Sequence, residues 1–194
     1  GRYFRSNLAF TGTNSTLQPI NSFAVDVSGY YQSYEKNYGN FDGRYRIGFN
    51  IANIGPKVSY VPGEEDFIPA NLKFGGGFDF ILDAYNTLSI NTEFTKLLVP
   101  SPQEDGSDQE KGFISGIFSS FGDAEGGFSE ELEEVTYALG AEYLYNDAFA
   151  LRLGYFHESE NKGNRKFFTM GAGFKTNALN VDLSYLINSS DVNN

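Results

Sequence analysis

The stretch VTYALGAEYLYNDAFALRLGYFH, residues 135–157, decides the fold. Val135, Tyr137, Leu139, Ala141 and Tyr143 alternate with Thr136, Gly140 and Glu142; past Asn146-Asp147, Leu151, Leu153 and Tyr155 alternate with Arg152 and Gly154. A period of two is the pattern of a strand with one apolar and one polar face. Two such runs joined by so short a link read as an antiparallel hairpin.

Outward from this hairpin the alternation recurs about nine times. Residues 22–33 set Phe23, Val25, Val27 and Tyr31 against Ala24, Asp26 and Ser28, and residues 44–53 set Tyr45, Ile47, Phe49 and Ile51 against Arg44, Arg46, Gly48 and Asn50. In residues 70–81, Leu72, Phe74, Phe78 and Phe80 oppose Lys73, Gly75, Gly77 and Asp79; in 86–96, Leu88, Ile90 and Phe94 oppose Ser89, Asn91, Glu93 and Thr95. Residues 165–175 and 178–187 follow, the latter with Val181, Leu183, Tyr185 and Ile187 against Asp182 and Ser184, and residues 1–10 also read as a strand. Strands of nine to twelve residues exceed the usual ~5 to 6 and match the ~9 to 11 that cross a bilayer when tilted. Length therefore favours an all-β, antiparallel transmembrane barrel.

The connections sort into two kinds, as they do in outer-membrane barrels. Short turns fall at 83–86, 146–147 and 176–177, and long polar loops at 11–21, 54–69, 97–133 and 159–164. Residues 34–43 break the rule, being ten residues long on the short-turn side. Within 97–133, Phe113, Ile114, Ile117, Phe118 and Phe121 fall at helical spacing and form the expected partner-binding element, the alternative being a short helix that folds back to plug the mouth of its own barrel. A second helix start is expected at Ser129, as N-cap, with Glu130 and Glu131 on its positive end. One partial β-barrel domain over 1–194, with a short helix inside 97–133, is the expected organisation.

Composition narrows the function. The chain has 194 residues, 22 of them Gly, with 19 Phe, 13 Tyr and no Trp. Charged residues are only 20%, below the roughly 25% of soluble proteins. A net charge of -11 argues against nucleic acid, which is held by clustered Lys and Arg. The absence of Cys removes disulfides and thiolate chemistry, and a single histidine, His157, removes His-rich metal sites. Glu64-Glu65-Asp66 and Glu130-Glu131 read as solvated loop charge, and 105–110 lacks the spacing of a calcium loop. Gly75-Gly76-Gly77 and Gly171-Ala172-Gly173 sit in strand patterns with no helix after them, so they read as barrel glycines rather than phosphate loops. His157 reads as a rim residue. No catalytic, cofactor-binding or metal residue is expected, and no cofactor.

The polar-face charges Asp26, Arg46, Asp79, Glu93, Glu142, Arg152 and Asp182 would face water in a soluble sandwich and the lumen in a membrane barrel. Periodicity alone does not separate the two. Tyr30, Tyr31, Tyr143, Tyr145, Tyr155 and Phe156 near strand ends resemble interfacial girdles and favour the membrane.

Irregular segments carry a more specific signal. GNFDGRYRIGFNIANIGPK at 39–57, DFIPANL at 66–72, KLLVP at 96–100, FSSFGDAEGGFSEEL at 118–132 and KGNRKFF at 162–168 together resemble the PorV family, outer-membrane proteins of the type IX secretion system of Bacteroidetes. The resemblance implies a FadL-like barrel of about fourteen strands, of which this chain, read as a fragment, would supply roughly nine. It implies a non-enzymatic shuttle in the outer membrane of a Gram-negative bacterium. Cargo would be received by its C-terminal domain, and the implied partners are a SprA-like translocon barrel, a PorU-like attachment protein and outer-membrane lipid. The alternatives are a FadL-type transporter of hydrophobic small molecules and, from another class, a soluble β-sandwich or surface hydrolase.

Overall fold

The computed structural model describes residues 1–6, 19–60, 63, 65–103, 106–124 and 126–189. The strands are β1 (Arg2–Ser6), β2 (Ile20–Gln32), β3 (Lys36–Asn37), β4 (Asp42–Ile54), β5 (Asn71–Ile81), β6 (Asn86–Leu97), β7 (Val135–Tyr145), β8 (Phe149–His157), β9 (Lys166–Lys175) and β10 (Asn180–Asn188). Three short helices, α1 (Ser107–Glu110), α2 (Phe113–Ser119) and α3 (Phe128–Glu133), lie between β6 and β7. The hydrogen-bonded order is β1-β2-β4-β5-β6-β7-β8-β9-β10, with β3 beside β4. The fold is therefore an all-β antiparallel meander, as the alternation requires. Among the described residues the nine expected strands are present, the first as Arg2–Ser6 with 7–10 of its expected range outside those residues, and β3 is a tenth.

Turn chemistry explains the tight connections. Asn146 and Asp147 both have φ of 52°, the left-handed conformation that suits hairpin turns and that short polar side chains tolerate. The Asp83 carboxylate accepts the N–H groups of Tyr85 (2.8 Å) and Asn86 (2.9 Å), and this holds its pKa below the ordinary aspartate value. Between β9 and β10 the Thr176 N–H donates to the Leu179 carbonyl, so the turn spans 176–179 rather than two residues and β10 starts at Asn180. The ten-residue connection 34–43 is folded too: β3 pairs back on β4, Lys36 opposite Gly43 and Asn37 opposite Asp42. Of the loop 11–21, residues 11–18 lie outside the described residues, and 20–21 belong to β2.

The described residues form two compact units. The first comprises 1–28, 50–72 and 96–132; its buried apolar residues are Ile20, Ala24, Ala52, Ile68, Ala70 and Leu98. The second comprises 29–49, 73–95 and 133–194, and there the usual inside-outside rule is inverted. Asp79 is buried at 1% exposure, while Leu153 and Leu183 are 65% and 71% exposed. Large exposed apolar faces of this extent mark a surface that meets something other than water.

Candidate functional site

Register turns the alternation into a lattice. Across β7, β8, β9 and β10 one face carries four rows: Tyr145, Phe149, Phe174 and Val181; Tyr143, Leu151, Ala172 and Leu183; Ala141, Leu153, Met170 and Tyr185; and Leu139, Tyr155, Phe168 and Ile187. Tyr137 opposite His157 closes it. Rings are thus gathered at both strand ends, with mainly Leu, Ala and Met between them. At the far end Tyr137 stacks on His157 at 4.7 Å and Tyr155 lies against Phe168 at 4.7 Å. His157 therefore takes its place in an aromatic cluster, and its Nδ1 lies 3.2 Å from the Tyr155 hydroxyl.

The opposite face gathers charge. Arg152 Nε donates to Glu142, its register partner on β7, and Nη1 donates to Asp182 on β10. The second bond must cross β9, and glycine makes the crossing possible. A Cβ at Gly173 would lie 2.6 Å from Asp182 Oδ1 and 3.0 Å from Arg152 Nη1. The same device recurs on β5: Gly77 leaves room for the Asn91 side chain, and Arg46 on β4 donates to it at 2.9 Å. Buried Asp79 receives Arg44 Nε (2.7 Å), Arg46 Nη2 (2.7 Å) and Ser89 Oγ (2.7 Å), so a carboxylate that burial alone would penalise is fully paired. Of the seven charges expected on this face, Arg46 meets Asp79, and Glu142, Arg152 and Asp182 form one chain. Asp26 pairs with Arg2 at 2.8 Å and Glu93 with Lys73 at 2.9 Å.

Five of these partners, Arg2, Arg44, Lys73, Ser89 and Asn91, were not singled out by the sequence. Alternation places them on the polar face but does not say which polar residues meet across strands. Arg46, Ser89, Asn91, Gly140, Glu142 and Arg152 line a polar concavity of about 380 Å³ in the second unit. Its charged groups are already engaged, Arg152 with Glu142 and Arg46 with Asp79. Among the described residues no group of three or more His, Asp or Glu is placed to hold a metal ion. Glu64 and Asp105 lie outside the described residues.

The described residues of segment 97–133 are folded. The Leu98 N–H donates to the Ala70 carbonyl (2.7 Å), and α2 lies so close to Phe67 and Pro100 that a Cβ at Gly116 would be 2.7 Å and 3.1 Å from them. The Lys96 ammonium and Glu131 carboxylate, both nearly buried, form an ion pair at 2.8 Å, and Glu131 also accepts the Ala124 N–H. The seat of Gly116 against Phe67 and Pro100 divides the five expected partner-binding residues. Phe113 and Ile117 share the inner side of α2 with Gly116 and are half-buried, whereas Ile114, Phe118 and Phe121 point outward, Phe118 at 73% exposure. α3 begins at Phe128, so Ser129 is inside the helix rather than its cap. It exposes Phe128 (78%) and Leu132, which the sequence reading missed although they stand four apart after the Gly126-Gly127 break.

With this geometry in place, comparison with known proteins gives one family. The family model described as type IX secretion system protein PorV matches residues 1–104, more than half of the chain. The chain belongs to the PorV family. The matched residues hold the segments at 39–57, 66–72 and 96–100, β1 to β6 and the charge network around Asp79. No curated protein matches the chain. Membership makes it a component of type IX secretion, whose assembly supplies its partners.

Proposed function

We propose that this PorV-family chain forms part of the wall of a FadL-type barrel in the bacterial outer membrane. There it acts without catalysis as a shuttle, receiving cargo proteins by their C-terminal domains beside a SprA-like translocon barrel and handing them to a PorU-like attachment protein. The observation that carries the membrane part is the lattice of β7–β10. β7 has 11 residues, which at ~3.4 Å each and a tilt near 45° rise about 26 Å, matching the roughly 25 Å apolar band of such barrels. The aromatic rows lie where the two interfaces would fall. No helix among the described residues is long and apolar enough to cross a membrane, so spanning rests on the strands. On this reading Asp26, Arg46, Asp79, Glu93, Glu142, Arg152 and Asp182 face the lumen, and the long loops face outside.

Removal of the chain from its host separates this function from small-molecule transport. The expected result is retention of secreted proteins that carry the C-terminal domain, with unchanged uptake of hydrophobic compounds. Normal secretion together with lost uptake would overturn the shuttle in favour of a FadL-type transporter.

A further inference from the structure

Segment 97–133 combines three properties that together specify the chemistry of what binds it. The first is preorganisation. The Lys96–Glu131 pair, the seat of α2 against Phe67 and Pro100, and the Leu98 hydrogen bond to Ala70 hold the segment in place, so its ordering cost is met before any partner arrives. A second is exposed apolar surface: Ile114 and Phe118 recur at i and i+4 on α2 with Phe121 just past its end, and Phe128 and Leu132 at i and i+4 on α3. Side chains of this size dominate binding energy once buried. The third is charge. Segment 97–133 holds nine carboxylates in sequence, of which Asp108 and Glu131 are buried and Glu131 is paired with Lys96, against a single cation of its own, Lys111, which itself lies 3.8 Å from Asp123.

These properties select among occupants. A second copy of this segment would set like charges against one another across the contact, which costs affinity. A lipid surface with anionic headgroups draws basic amphipathic helices, and this one is acidic. What remains is a protein surface with an apolar stripe to cover the rings and positive charge to meet the carboxylates.

We infer that the outward faces of α2 and α3 dock a cationic amphipathic element of a partner protein, an apolar stripe flanked by Lys and Arg. The inference rests on the reading of this chain as a partner-binding subunit and adds the chemistry of what it binds. The rings supply the affinity that resists dissociation. Carboxylates such as Glu110 and Glu130 speed encounter and select the sign of the partner.

The test uses the full chain in detergent micelles and three synthetic amphipathic helices that share one Leu stripe and are flanked by Lys, Gln or Glu. The Lys-flanked helix is expected to bind at least ~10-fold more tightly than the Glu-flanked one at low salt, the gap shrinking as ionic strength rises. Phe118→Asp combined with Phe128→Asp should abolish binding of the Lys-flanked helix; Phe118→Ala, a milder change, should weaken it while the strand signal in circular dichroism is unchanged. Equal binding of the Lys- and Glu-flanked helices would overturn the charge inference and leave the docking role standing. Full binding to the Phe118→Asp, Phe128→Asp variant would overturn the inference about where the element docks. If native complexes purified from the host are also unaffected by that variant, the partner-binding role of the segment fails as well.

Discussion

Arg152 and Leu153 are neighbours in sequence and opposites in environment, which makes them the sharpest residue-scale test of the face assignment. Leu153 lies in the middle row of the apolar lattice, between Ala141 and Met170. Leu153→Arg is expected to cost about 2 to 4 kcal/mol in folding into a bilayer, the range for a basic residue near the midplane on the lipid side. Arg152→Leu removes two ion pairs, to half-exposed Glu142 and Asp182, and such pairs contribute about 0 to 1 kcal/mol each. Refolding titrations into lipid vesicles measure both; if Arg152→Leu is the more damaging, the lipid and lumen faces are exchanged. Gly173→Ala probes the crossing itself. A methyl there must displace either Asp182 or the Arg152 guanidinium, so the variant should behave like loss of the Asp182 pair while Glu142 stays bound. A double-mutant cycle of Gly173→Ala with Asp182→Asn would then show coupling, and additive effects would mean that the glycine serves curvature instead. The sequence shows Gly173 only as a break in the alternation, because its purpose depends on two side chains, Arg152 and Asp182, that meet across it from the flanking strands.

At the scale of elements, the strands were legible because a sheet with one apolar face imposes a period that survives without any alignment. β3 was not, since two residues carry no period and their pairing with Asp42 and Gly43 depends on how 34–43 folds back. The helix at 113–119 was visible as spacing, but the choice of its inner side was not. That choice rests on Gly116 meeting Phe67, far off in sequence. The connection after β8 shows how an element end is fixed by polar contacts. Arg165 Nε and Nη2 donate to Glu158 at 2.7 Å and 2.8 Å, and the guanidinium holds the Glu158 carboxyl below its ordinary pKa. A lowered folded-state pKa means that the stabilisation is fully present above the unfolded carboxylate value of about 4.3 and is lost as pH falls through the lower, folded one. Amide exchange at 161–164, compared at each pH with that of Glu158→Gln, should show protection in the native chain near neutrality that converges on the variant's level in acid. Equal protection at neutral pH would mean that the pair does not hold this connection.

For the whole molecule the proposed barrel fixes a sidedness, the choice of which strand ends face out, and the absence of cysteine from the sequence makes it measurable. The turns at 83–86, 146–147 and 176–179 are short and fixed by local hydrogen bonds, while the connections at the other strand ends are long and carry the acidic, ring-bearing segment 97–133. In outer-membrane barrels the short turns are periplasmic and the long loops extracellular. Partner recognition at the cell surface would need segment 97–133 outside, because its rings can reach a partner only on the side where they emerge. Single cysteines can be introduced as Ser107→Cys, at the first residue of α1, and as Asn177→Cys, in the β9–β10 turn. Neither site is buried, so both react once a reagent reaches their side. An impermeant maleimide added to intact cells should label position 107 and spare 177, and permeabilising the outer membrane should make 177 reactive. Labelling of 177 alone on intact cells would reverse the orientation and place the acidic platform in the periplasm. Labelling of both sites on intact cells, at equal rates, would remove the membrane between them and with it the reading of the apolar lattice as a lipid-facing wall.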